Sequence, residues 1–148
     1  MTHDALVVGW RERVGLPAWG IRSIHAKLDT GARTSALHVA ELRSDGKRVS
    51  FVVVTSRRDG ARRIEVTAPI ARIARVRSSN GAIATRFVVR TRLRLGAIER
   101  EIEVTLVDRG EMIHRMLIGR SGLDGLAVAP DRRYLCSRPP RARPSEAP

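Results

Sequence analysis

Ile24-His25-Ala26-Lys27-Leu28-Asp29-Thr30-Gly31-Ala32 is the stretch whose reading decides the fold. Ile24, Ala26 and Leu28 alternate with His25 and Lys27 as the buried and open faces of a strand do, and the strand then delivers an aspartate onto a Thr-Gly turn. A carboxylate at the end of a rigid strand can be held by a glycine amide and flanked by a threonine hydroxyl that packs inward. At average composition Asp-Thr-Gly arises by chance in about 3% of chains this long, so its context has to carry the reading. That context includes Met116-Leu117-Ile118-Gly119-Arg120, an apolar strand run closing on a glycine. One short helix is expected after it, over 120–126, although Gly122 weakens that expectation.

Between these two segments the pattern is β. In residues 84–107, Phe87, Val89, Thr91, Leu93 and Leu95 alternate with Arg86, Val88, Arg90, Arg92 and Arg94. After Gly96-Ala97, Ile98, Ile102, Val104 and Leu106 alternate with Glu99, Glu101 and Glu103. A two-residue loop at Gly96-Ala97 sets Leu95 opposite Ile98, Arg94 opposite Glu99, Arg92 opposite Glu101 and Arg90 opposite Glu103. Such cross-strand pairs are worth roughly 0.2–1 kcal/mol each, so they fix register more than they add stability. Further turns are expected at Ser44-Asp45-Gly46, Asp59-Gly60 and Asn80-Gly81. The body reads as a chain of hairpins in one strongly curved sheet or small barrel, without a repeat of solenoid period. Residues 1–6 read as a loose start and 137–148 as a Pro/Arg-rich disordered tail, which leaves 7–136 as the folded domain.

The chain has 148 residues, one domain's worth, and 43% of them are hydrophobic, too many for a wholly disordered chain. Its 28 Lys and Arg against 15 Asp and Glu leave a formal charge of +13, nearly all of it arginine, because Lys27 and Lys47 are the only lysines. Arginine suits fork-like recognition of carboxylates, so an acidic partner fits; a solvated arginine-rich surface is the plainer explanation. The five aromatic residues, Trp10, Trp19, Phe51, Phe87 and Tyr134, form no stacking motif, which argues against nucleic acid. No run approaches the roughly 18 apolar residues that span a bilayer, and the start lacks a signal-peptide pattern, so a soluble cytoplasmic protein with no membrane association is expected. Cys136, the single cysteine, has no base beside it in sequence and reads as inert.

These features resemble the retropepsin-like aspartic proteases. The resemblance is closer to one branch, the RimK-associated proteases also called ATP-dependent zinc proteases. It is carried by Gly9-Trp10-Arg11-Glu12, Leu16-Pro17, Val107-Asp108-Arg109, Leu117-Ile118-Gly119-Arg120 and Tyr134-Leu135, and most specifically by Lys27-Leu28-Asp29-Thr30-Gly31-Ala32-Arg33-Thr34-Ser35-Ala36-Leu37-His38; it covers residues 8–135. It implies a mainly β, closed retropepsin-like (acid protease) β-barrel with Asp29 as the catalytic aspartate. Thr30, Gly31 and Ala32 would form the active-site loop, and Ile118-Gly119 the supporting strand. The implied activity is that of an aspartic-type endopeptidase. Association with a RimK-type glutamate ligase would make acidic or polyglutamylated protein tails the substrate, which the +13 charge suits.

An aspartic peptidase needs two carboxylates sharing a proton, and one Asp-Thr-Gly per chain calls for a homodimer or a second acid. Asp108 leads among the internal acids, with an arginine-paired turn residue as its ordinary role. Arg33, Thr34 and Ser35 follow the aspartate closely enough to line a substrate cleft, while Thr34 and Ser35 also suit turn capping. Ser35 with His38 lacks the oxyanion motif of a triad. His-Glu-x-x-His is absent, no phosphate-binding loop occurs, and no metal or cofactor is expected; zinc on Asp29, His25 and His38 is the minor alternative. The rival to catalysis is a basic binding module of the same fold that recognises acidic protein or RNA.

Overall fold

A computed structural model describes residues 6–55, 62–77, 80–108 and 114–138. Strand β1 (Leu6–Gly9) is followed by β2 (Arg11–Leu16), a 3-10 turn at Pro17–Trp19, β3 (Ile21–Leu28) and β4 (Ser35–His38). Then come β5 (Ala40–Ser44), β6 (Arg48–Val54), β7 (Arg63–Pro69), β8 (Arg72–Arg77), β9 (Ile83–Leu95) and β10 (Ile98–Val107). The last described elements are β11 (Met116–Ile118), a second 3-10 turn at Arg120–Gly122, and β12 (Leu126–Ala129). The protein is mainly β.

The principal sheet runs β10-β4-β11-β3-β2-β9-β8, and β9 pairs again with β10, so the pairings form a ring with β8 outside it. The joint between β2 and β9 is a single residue pair, Gly15 with Arg94, which falls short of an evenly hydrogen-bonded barrel. Inside the ring lie Val14, Leu16, Ile24, Ala26, Leu28, Leu93, Val104 and Ile118, each at most 2% exposed. Burial of these side chains away from water is the dominant favourable term in holding the ring together.

The β9–β10 hairpin has the expected register, with Leu95 opposite Ile98, Arg94 opposite Glu99 and Arg90 opposite Glu103. Gly96 takes the left-handed conformation the turn needs, at φ 60°. The charge contacts also run diagonally: Arg92 reaches Glu99 at 3.5 Å, and Arg72 from β8 reaches Glu103 at 3.0 Å. The turns at Ser44-Asp45-Gly46 and Asn80-Gly81 connect β5 to β6 and β8 to β9, with Gly46 at φ 94° and Gly81 at φ 86°. Asp59-Gly60 falls outside the described residues.

Two expectations are corrected. The body is not a chain of hairpins throughout, because β10 with β4, β11 with β3 and β1 with β12 pair in parallel. These pairings join segments distant in sequence, which local alternation does not report. Nor does a helix follow Gly119: residues 120–122 make one 3-10 turn, and β12 begins at Leu126. Gly125 stands at φ 77°, outside helical space, and Arg100 Nη1 donates to the Asp124 carbonyl at 2.8 Å, diverting it from a helical ladder.

The segment after β12 fills the weak joint of the ring. Trp10 N donates to Arg132 O at 2.9 Å and Tyr134 N to Arg11 O at 2.9 Å. Glu12, fully buried, accepts from Gly9 N at 2.6 Å, Leu135 N at 2.8 Å and Ser137 Oγ at 2.6 Å. A buried carboxylate is tolerated where hydrogen-bond donors replace its water, and here they also bind the chain end to β2. Residues 6–9, 11–16, 21–28 and the other described elements contain no helix long and apolar enough to cross a membrane.

Candidate active site

The β3 strand keeps Ile24, Ala26 and Leu28 in the core, and the next residue of the same chain is Asp29, half-buried at the strand's end. Its backbone N–H donates to Ile118 O at 2.8 Å, so β11, wedged between β3 and β4, fixes the position where the aspartate leaves the sheet. Ala32 N donates to Asp29 O at 3.2 Å, closing a tight turn. Gly31 N donates to Asp29 Oδ1 at 2.9 Å. That amide holds one carboxylate oxygen, and among the described residues neither a cation nor a donor engages Oδ2.

The loop is stitched to the segment after β11. Arg120 N donates to Ala32 O at 2.8 Å and Ser121 N to Arg33 O at 3.1 Å. The Arg120 side chain reaches the Thr30 carbonyl at 2.9 Å. Gly119 N donates to the buried Ser35 hydroxyl at 3.2 Å. Gly119 has to be glycine, because an added Cβ would lie 2.7 Å from the Thr34 carbonyl carbon and 2.8 Å from its nitrogen. Both ends of the Asp29 loop are thereby held by backbone, the arrangement that keeps a reactive side chain in one geometry.

The candidate residues divide by exposure. Thr30, Gly31, Arg33 and Thr34 are exposed and Ala32 is half-buried, so they surround Asp29 at the surface. Ser35 lies beneath them, fully buried, where its hydroxyl braces Gly119. Ile118 is buried in the core and Gly119 crosses under the loop. Arg120 was not among the site residues expected from sequence; its place directly after the apolar-Gly run is the signal that could have indicated it.

Asp108 is placed elsewhere. It follows Val107, which pairs with His38 at the far end of β4, whereas Ser35 at the near end adjoins the Asp29 loop. The three residue steps from Ser35 to His38 separate those ends by about 10 Å. Arg86 lies 3.7 Å from its carboxylate. Glu12 is likewise committed, to the chain end.

A zinc ion of the kind the branch name implies does not fit. His25 packs edge-on against the Tyr134 ring at 6.1 Å, and His38 Nδ1 accepts from Arg115 Nη1 at 3.0 Å. Among the described residues, no group of three His, Cys, Asp or Glu side chains converges on a metal position. Cys136 is no nucleophile, since burial foremost, and then the adjacent Glu12 charge and hydrogen bond, push its thiol from 9.0 up to about 12.

Residues 7–139 match the RimB-like family, described as retropepsin-like aspartic endopeptidase RimB. A probable alpha-L-glutamate ligase from Parasynechococcus marenigrum is 36% identical over 124 residues, which are 81% of this chain and 27% of that protein. A probable alpha-L-glutamate ligase from Desulfotalea psychrophila is 36% identical over 129 residues, 84% of this chain and 28% of its own length. The chain thus spans a little over a quarter of these relatives. A Legionella pneumophila protein of unknown function, solved by structural genomics, superposes with a TM-score of 0.72 at 23% identity, covering 90% of this chain and 99% of that one, and so shares the fold.

Proposed function

We propose, for a chain that belongs to the RimB-like family of retropepsin-like aspartic endopeptidases, that it hydrolyses peptide bonds through water activated by Asp29. The observation that carries this reading is the Asp29 carboxylate itself, with Oδ1 held by the Gly31 amide at 2.9 Å. The other oxygen is left to receive a proton.

The chemistry requires a pair of carboxylates sharing one proton. Ionised, one takes a proton from water as the oxygen attacks the scissile carbonyl carbon; its protonated neighbour gives a proton to the carbonyl oxygen. The tetrahedral carbon then collapses, the C–N bond breaks, and the amine leaves with a proton from the pair. Like charges this close do not both ionise, which keeps the two roles separate. With Asp108 beside Arg86, the second carboxylate is the Asp29 of a second copy in a two-fold homodimer. Thr30, Gly31 and Ala32 shape the loop, and Arg33 and Thr34 contact substrate. Ser35, Ile118 and Gly119 support them from beneath.

The substrate we infer is an acidic or polyglutamylated protein tail, processed in the cytoplasm in association with a RimK-type glutamate ligase. The relatives named probable alpha-L-glutamate ligases support that association. The +13 charge supports an acidic substrate, because exposed arginines such as Arg33 attract a polyanion at range.

The test compares wild type with Asp29→Asn on glutamyl peptides from acidic to neutral pH, each protein checked for a native melting transition. Loss of hydrolysis in Asp29→Asn is the expected result. Equal cleavage by both would take Asp29 out of the chemistry, and binding of acidic peptides without cleavage by either would establish the basic binding module instead.

A further inference from the structure

Outside the ring, β5, β6 and β7 form a three-stranded sheet. Its inner face, with Val49, Phe51, Val53 and Val66, belongs to the core, and Phe51 meets the Trp19 ring edge at 5.4 Å. The outer face carries two adjoining cavities of about 260 and 230 Å³, which share Arg43, Ser50 and Thr67 and so make one open groove. Nothing in the proposed peptidase chemistry uses this groove.

The groove is sorted by charge along the strands. One end holds Arg48, with Arg43 next to it, and neither pairs with a carboxylate among the described residues. Asp45 lies there too, but its Oδ1 accepts from Lys47 N at 2.9 Å and Arg48 N at 2.7 Å, so it serves the turn and offsets one arginine. In the middle, Arg43, Ser50 and Thr67 stand side by side across the three strands. The Ser50 and Thr67 hydroxyls are 3.1 Å apart; one proton links them, leaving the other hydroxyl hydrogen to donate outward. Two positions along the strands, Glu41 and Glu65 line the other end. Glu41 is paired with Arg63 at 2.7 Å, whereas Glu65 has no cation partner among the described residues.

The groove is therefore neutral as a whole, with an excess positive charge at one end and an excess negative charge at the other. From the point between Arg43 and Arg48 to Glu65 is about three strand positions and one and a half strand spacings, roughly 12 Å. A polyanion lying along it would gain at the arginines and be repelled at Glu65, so nucleic acid and polyglutamate fit poorly. A small molecule with a carboxylate and an ammonium about 12 Å apart fits both ends, and an extended tetrapeptide has that span. We propose that this face is a binding site for a short zwitterionic peptide, its carboxylate between Arg43 and Arg48 and its amino group at Glu65.

The test is titration of the isotopically labelled full chain with Ala-Ala-Ala-Ala, followed by backbone amide shifts. The expected result is saturable shifts centred on Ser50, Val52, Glu65 and Thr67, with the N-acetylated and the C-amidated tetrapeptide each binding at least tenfold more weakly. Glu65→Gln and the double variant Arg43→Gln, Arg48→Gln should each weaken binding at least fivefold while retaining native spectra. Asp29→Asn should bind as wild type does, which separates this site from the fate of the peptidase reading. Blocked peptides binding as well as the free tetrapeptide, inorganic phosphate binding with no dependence on Glu65, or shifts confined to other regions would overturn the proposal.

Discussion

The backbone of Thr34 lies directly against Gly119, closer than any side chain at position 119 would allow. The contact is backbone to backbone, so neither partner can swing away as a flexible side chain would. Gly119→Ala should cost about 3 kcal/mol or more, beyond ordinary overpacking, or prevent folding. Urea denaturation of the variant measures it; a loss below about 1 kcal/mol would show that the loop yields.

Glu12 anchors the chain end by accepting donors from Gly9, Leu135 and Ser137. In Glu12→Gln one oxygen becomes a donor that faces donors, and buried polar groups lose their partners. The expected destabilisation is about 2–4 kcal/mol. Trypsin should cut after Arg132 or Arg133 well before the core is digested, because the segment would detach from β2 locally. Simultaneous digestion of segment and core would contradict a local anchor.

The Cys136 thiol, raised to about 12, should alkylate slowly at pH 8. Its folded value lies above its ordinary 9.0, so the folded state holds the proton more tightly than the unfolded one. The stability Cys136 contributes is complete below pH 9 and lost as pH rises from 9 towards 12. Cys136→Ser should remove that portion of the alkaline stability loss in thermal melts, and an unchanged alkaline limb would contradict it.

The Arg–Glu ladder of β9 and β10 should matter little to stability. Glu99 meets Arg92 and Arg94 at 3.5 and 3.9 Å with all three side chains well exposed. Glu99→Gln should cost under about 1 kcal/mol, and 0.5 M salt should shrink the difference. A loss above 2 kcal/mol would mean that the ladder does more than set register.

The same ladder explains what was legible beforehand. Alternating Arg and Glu around Gly96 carry strand, turn and register in one contiguous stretch, and the structure has them as read. The insertion of Met116–Ile118 between β3 and β4, parallel to the first and antiparallel to the second, was not legible, because a three-residue strand has no period of its own and its partners lie some 80 to 90 residues away. Glu12 was missed as a structural residue although it shares strand parity with buried Val14 and Leu16, a sign that an acid in β2 points inward. At the candidate site, the hold of the Gly31 amide on the Asp29 carboxylate was legible from the Asp-Thr-Gly turn. The part played by Ser35 was not, since its bond to Gly119 depends on how two distant segments cross.

The central claim is that each chain supplies one carboxylate, Asp29, to a catalytic pair. Mixing measures it most directly: wild type held at fixed concentration is re-equilibrated with an equal amount of Asp29→Asn, and hydrolysis of a glutamyl peptide is followed. Mixed dimers lose one carboxylate, so activity should fall to about half. Activity that stays unchanged under exchange of subunits would mean that each chain works alone, and the pair would have to be found elsewhere.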